Sequence, residues 1–174
     1  MRPRGLPRPR EAPTPLPAGA EGERYRPPCT VTVLTDSTGI NRDICDAVAR
    51  FPTTHNPLTA DAPNWINYTG GDTLHSVVDT GSVVYVNGHN RWLDNPYGKD
   101  TCGTNLQPGC SPRPGIGAID PATGHALAWN PGKTRGVGGK DLLSTTSGLW
   151  IASDGQHIAG EYHYGIAFMT LPPS

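Results

Sequence analysis

An all-β chain written as a repeated antiparallel meander is what this sequence predicts, on three observations. One short pattern of strands and turns occurs twice between Trp65 and Leu171. Glycines sit at the ends of apolar runs from Gly70 onward, which marks turns between strands. Prolines instead crowd the N-terminus, where apolar side chains are few. In the first copy of the pattern, a Leu74-x-Ser76 strand leads through a turn at Gly81 to Val83-Val84-Tyr85-Val86, then to a second turn at Asn87-Gly88 and a third strand Ile116-Gly117-Ala118-Ile119. In the second, Leu142-x-Ser144 leads through Gly148 to Leu149-Trp150-Ile151-Ala152, then Asp154-Gly155 and Ile166-Ala167-Phe168-Met169. A tryptophan, Trp65 or Trp129, opens each copy. A meander repeated along a chain is how radial β architectures are encoded.

Three segments follow. Residues 1–28 hold eight prolines and six arginines and bury too little apolar surface to offset their ordering entropy, so a disordered tail with polyproline II character is expected. Residues 29–63 read as a disulfide-linked segment. Thr30 to Leu34 alternates as a short strand, Asn41 or Asp43 caps a short helix through Ile44–Arg50 with Ile44 and Val48 as its buried edge, and a proline-rich loop runs to Pro63. Residues 64–174 carry the two repeats. The first is longer by one insertion after Trp92-Leu93, and insertions in repeat proteins gather on one face, often the binding face, so the loop from Asn90 to Arg113 is where function is expected.

The totals exclude several classes. The net charge of −1 gives no bulk electrostatic case for nucleic acid or an anionic membrane. No apolar run approaches the ~20 residues that span a bilayer. Four cysteines pair most simply by proximity as Cys29–Cys45 and Cys102–Cys110, with free buried thiols and a metal site as the competing readings; neither pair has zinc-finger spacing. Disulfides imply an oxidising compartment. The N-terminus is basic without an apolar core, so it is not a readable secretion signal, and the expectation is a piece of a longer exported protein.

The runs Tyr68–Val77, Val84–Tyr97, Arg113–Gly124, Trp129–Gly138 and Gly160–His163 resemble the last blades of large secreted β-propeller proteins of actinobacteria, over about residues 60 to 172. The resemblance implies a partial β-propeller of about two antiparallel blades. It implies an extracellular location within a longer parent, whose remaining blades, or further copies of this chain, would be partners.

Several residues carry candidate chemistry. His89, Asn90, Arg91 and Trp92 stand at the root of the insertion, and an aromatic ring beside amide and guanidinium donors suits sugar recognition; the alternative is a Trp that closes the blade. Glu161, Tyr162 and His163 form a second candidate group. Glu161 and His163 project to one side of an extended stretch, as an acid and base pair or as hydrogen bonds between blades. Asp94, Asn95 and Asp100 offer oxygens for Ca²⁺, or are solvated turn residues. Asp120-Pro-Ala-Thr-Gly124 is a hairpin turn, and Asn67-Tyr68-Thr69 matches a glycosylation sequon. The leading functional expectation is a binding or scaffold module with polysaccharide as ligand. The others are the terminal part of a propeller enzyme, such as a quinone-dependent sugar dehydrogenase or lyase, and a truncated product without a role of its own.

Overall fold

The protein is represented by a computed structural model that describes residues 24–26, 33–35, 41–43, 47–54, 62–69, 72–95, 102, 109–136 and 138–171. These residues form strands and turns, with no helix among them. The first group of strands is β1 (Arg24–Arg26), β2 (Val33–Thr35), β3 (Asn41–Asp43), β4 (Ala47–Phe51) and β5 (Trp65–Tyr68). The second is β6 (Leu74–Asp79), β7 (Val84–Gly88), β8 (Trp92–Leu93), β9 (Ser111–Pro112) and β10 (Ile116–Ile119). The third is β11 (Gly139–Thr145), β12 (Gly148–Ser153), β13 (His157–Ile158), β14 (Glu161–Tyr162) and β15 (Ile166–Met169).

Each group makes one three-stranded antiparallel sheet and one two-stranded hairpin. The sheets run β1-β4-β5, β10-β7-β6 and β11-β12-β15; the hairpins are β2-β3, β8-β9 and β13-β14. The middle and last sheets match residue by residue. Val78, Tyr85 and Ala118 form one cross-strand row, and Leu143, Trp150 and Phe168 form the same row one sheet later. Each first strand carries a bulge at the same place, His75 in one and Lys140 in the other. A bulge adds local twist and re-aims the strand, so its recurrence marks one repeated unit. Thr80 and Thr145 also correspond: each hydroxyl donates to the carbonyl three residues on, Val83 O at 3.0 Å and Gly148 O at 3.1 Å.

Packing explains the composition of β7. Its alternate residues face opposite clusters: Val84 and Val86 join Val48, Leu74, Leu93 and Ile119, with Trp65 of the first sheet against them. Tyr85 joins Ile116 and Ala118 against Leu142, Leu149, Ile151, Ile158 and Ala167 of the last group. A strand covered on both faces reads as a continuous apolar run, as Val83–Val86 does. The same positions supply the covering side each time, since Val84, Val86 and Leu93 correspond in register to Leu149, Ile151 and Ile158. Leu74–Val86 and Leu142–Ala152 therefore lie in separate sheets with a shared core.

Some expectations fail. The helix through Ile44–Arg50 is absent where it is described: Ala47–Phe51 is the central strand of the first sheet. Its reason is burial on both sides, with Ala47, Val48 and Ala49 all at 1% exposure or less, which a helix with a single buried edge does not produce. Within the expected tail, Arg24–Arg26 pairs with β4 as a strand; ladder hydrogen bonds to Ala49–Phe51 give that backbone partners that its composition does not announce. The rest of residues 1–28 lies outside the described residues. Asn87-Gly88 is the end of β7 and not a turn, because a side chain at Gly88 would overlap Thr73 O, so only glycine lets β6 and the strand end close up. Gly81 and Gly148 are not equivalent either, since Gly148 already belongs to β12.

Candidate functional site

The middle group gathers most of the candidate residues around two carboxylates. Asp72 lies just before β6 and is 5% exposed. Arg91 reaches it twice, Nε to Oδ2 at 2.7 Å and Nη2 to Oδ1 at 3.1 Å, and the Arg91 backbone N–H donates to Oδ2 at 3.1 Å. Arg135, from the segment leading into the last sheet, donates from Nη2 to Oδ1 at 3.3 Å and from Nε to His89 O at 3.0 Å. One carboxylate thus clamps two guanidinium groups, with bidentate geometry toward the first. Asn90 is buried, and its amide donates to Arg113 O at 2.7 Å. The His89–Trp92 run is therefore knitted into the scaffold: Arg91 holds the clamp, Asn90 and His89 hold backbone, and Trp92 pairs with Pro112 in the hairpin.

The second carboxylate is Asp94, held at φ 52. Asn67 Nδ2 donates to its Oδ1 at 2.6 Å, Ser111 Oγ to Oδ2 at 3.0 Å, and Ala126 N to Oδ2 at 3.0 Å. Asp94 N returns a bond to Asn67 Oδ1 at 2.9 Å, and His125 Nδ1 stands 3.4 Å from Oδ1. Both oxygens that sequence reasoning offers to Ca²⁺ already accept protein donors. Asn95 is buried beside it, donating its backbone N–H to Tyr68 O at 3.0 Å, and Asp100 lies outside the described residues. Among the described residues no group of three or more His, Cys, Asp or Glu is placed to hold a metal ion.

Beside Asp94 a cavity of about 470 Å³ opens, with Tyr68, Asn95, Thr123 and His125 on its wall. β5 and the Asp120–Gly124 turn both contribute to its lining. That turn forms as its sequence predicts: Ala122 N donates to Asp120 Oδ1 at 2.7 Å, and Gly124 takes φ 75. It latches onto the first sheet, since Trp65 Nε1 donates to Pro121 O at 2.9 Å, Arg50 Nη1 to the same oxygen at 2.6 Å, and Asn67 Nδ2 to Gly124 O at 2.8 Å. Asn67, the sequon asparagine, is consequently buried with its amide in use. Cys102 and Cys110 form the expected disulfide within the insertion, both buried. The Cys29–Cys45 pairing lies outside the described residues.

Glu161, Tyr162 and His163 belong to the hairpin of the last group, at the places that Ser111, Pro112 and Arg113 hold in the middle group. His163 Nε2 lies 3.3 Å from Glu161 Oε2, and the exposed Tyr162 ring meets His157 edge-on at 5.5 Å. They form one cluster on the hairpin, separate in the chain's layout from His89–Trp92 on the middle group.

Among the described residues, three ionisable groups are shifted by burial. Lys133, 5% exposed, donates to Ser153 Oγ at 2.9 Å and Thr134 O at 3.2 Å; burial lowers its pKa below the usual lysine range, and Asp154 partly offsets this. Burial also lowers that of Arg113, against the pull of Asp94, and its guanidinium caps Leu127 O and Pro112 O. Burial raises that of the Tyr85 phenol. Sequence reasoning missed Asp72, Arg135, Tyr68, His125 and Lys133. Asp72 meets its partners 19 and 63 positions away, a separation no local motif reports.

Compared with protein-family models, curated proteins and solved structures, the chain matches none of them.

Proposed function

We propose that this chain is a section of an extracellular β-propeller scaffold and that it binds polysaccharide in the cavity lined by Tyr68 and His125. The cavity itself carries the reading. At about 470 Å³ it falls within the size range of small-ligand sites. Tyr68 and His125 are among its lining residues, an aromatic ring of the kind that stacks on a sugar CH face and an imidazole that can hydrogen-bond a hydroxyl. Asp94, with its oxygens engaged, stands 3.4 Å from the His125 Nδ1. The propeller reading is supported by successive sheets with the same register, the same bulge and the same covering residues. The extracellular reading is supported by the Cys102–Cys110 disulfide.

The test is titration calorimetry of the full chain against soluble β-glucan, xylan and α-mannan, repeated with Tyr68→Ala and His125→Ala. Loss of one stacking ring should weaken binding about tenfold. Absence of binding by the native chain, or binding unchanged by both substitutions, overturns the proposal.

A further inference from the structure

The hairpins of the middle and last groups close in different ways. In the last, residues 159 and 160 alone separate β13 from β14, with Ala159 at φ 53 and its N–H donating to Gly132 O at 2.9 Å. In the middle group Asp94 holds the corresponding place, at φ 52 and with its N–H on Asn67 Oδ1 at 2.9 Å. The chain then runs from residue 95 to residue 110 before β9 begins. A two-residue turn fixes its strands by itself, whereas closing a longer loop costs more entropy. The Cys102–Cys110 bridge offsets that cost. It joins two buried cysteines eight positions apart, and Cys110 directly precedes β9, so the strand is anchored at its first residue.

Both neighbours of Cys110 serve the cavity beside Asp94. Gly109, at φ 92, is one of its lining residues. On the other side Ser111 Oγ donates to Asp94 Oδ2 at 3.0 Å. Asp94 in turn accepts the Ala126 N–H at 3.0 Å and stands 3.4 Å from His125 Nδ1. The short run Gly109–Ser111 thus supplies a piece of the lining and a hydroxyl that holds the carboxylate next to His125, with the bridge at its centre. The repeat shows that the hairpin alone does not require this. In the last group Ala159 and Glu161 take the places of Asp94 and Ser111, and the strands pair all the same. The bridged arrangement accompanies the cavity.

We infer that the Cys102–Cys110 disulfide is a positioning element of the ligand cavity. It holds Gly109 in the lining and Ser111 on Asp94, and without it the cavity loses affinity while the three sheets persist. The identity of the ligand rests on the polysaccharide reading; the effect of the bridge on the cavity is measurable with no ligand present.

The test replaces both cysteines in the full chain, as Cys102→Ser/Cys110→Ser and, against any disturbance from buried hydroxyls, as Cys102→Ala/Cys110→Ala. Far-UV circular dichroism should stay at native values in at least one pair. Hydrogen exchange read by NMR should quicken about tenfold or more at the Ala126 amide, which donates to Asp94, and stay native in β7 and β12. In titration calorimetry with soluble β-glucan, xylan and α-mannan, whichever the native chain binds should be held about tenfold more weakly, as when the competent arrangement falls to about a tenth of the molecules. Ala126 exchange that stays native overturns the inference, as does an affinity that both pairs retain. Loss of protection in β7 and β12, or failure of both pairs to fold, overturns it too, because the bridge is then a staple of the whole molecule. A native chain that binds none of the three glycans removes the polysaccharide reading alone, and the Ala126 exchange then decides this one.

Discussion

Replacing Asp72 with Asn removes the charge from the clamp while keeping its shape. In the native chain the carboxylate accepts three bonds from Arg91 and one from Arg135, and only 5% of its side chain meets solvent. The variant leaves two guanidinium groups facing each other across a neutral amide whose NH₂ end cannot accept. Breaking a fully buried ion pair by removing one partner costs about 3–5 kcal/mol. Arg91 and Arg135 are 32% and 31% exposed, and solvent screens part of that penalty. A loss of about 2–3 kcal/mol is therefore expected, and with a urea m-value of about 2 kcal/mol/M the midpoint falls by about 1–1.5 M. Double-mutant cycles with Arg91→Met and Arg135→Met divide the loss between partners. Coupling to Arg91 should exceed coupling to Arg135, because it makes the bidentate contact. A midpoint shift equivalent to less than about 0.5 kcal/mol, the level of an ordinary surface change, would refute the reasoning. So would a larger coupling to Arg135.

Further outcomes test the packing and the buried ionisable groups. Gly139→Ala places a methyl group against Asn87 Oδ1 and dislodges the amide that donates to Asp141 O at 3.2 Å and Ala152 O at 3.1 Å, so thermal unfolding should report a loss of about 2–4 kcal/mol. Gly132→Ala, with φ 68 but nothing near the added methyl, should cost only about 1 kcal/mol. Lys133 has a folded-state pKa below its ordinary 10.5. Between those two values the unfolded chain holds a proton the folded chain lacks, so stability rises with pH through that window. Lys133→Met should abolish the rise in melting temperature measured as pH climbs toward 10.5. Tyr85 acts in the opposite sense above its ordinary 10.0, where the folded phenol keeps its proton and the unfolded one loses it, so both proteins should lose stability there.

The repeat was legible because its signals are local. Val83–Val86 and Leu149–Ala152 announce strands by their side chains, Asp120–Gly124 announces a turn, and the separation of Cys102 from Cys110 suits a closed loop. The first sheet was not legible. Its central strand, Ala47-Val48-Ala49-Arg50-Phe51, has good helix formers, and its partner Arg24–Arg26 stands in a proline-rich context, so only pairing between distant segments makes either a strand. The site was harder still. His89–Trp92 looked like a ligand cluster because histidine, amide, guanidinium and indole are the groups that bind sugars, yet Arg91 and Asn90 bond to Asp72 and Arg113 O. Tyr68 and His125 gave no signal, since 57 positions separate them in the chain and only the fold sets them on one cavity wall.

The latch at Pro121 and Gly124 bears on the order in which the molecule is made. Arg50, Trp65 and Asn67 await acceptors that follow them by 71, 56 and 57 positions, and Asp94 awaits Ala126. A ribosome adding about 5–20 residues per second needs several seconds to cover that distance. For that interval the emerging first sheet lacks the turn that latches onto it, and a nascent-chain protease assay should find it cleavable until the Asp120–Gly124 turn has cleared the exit tunnel.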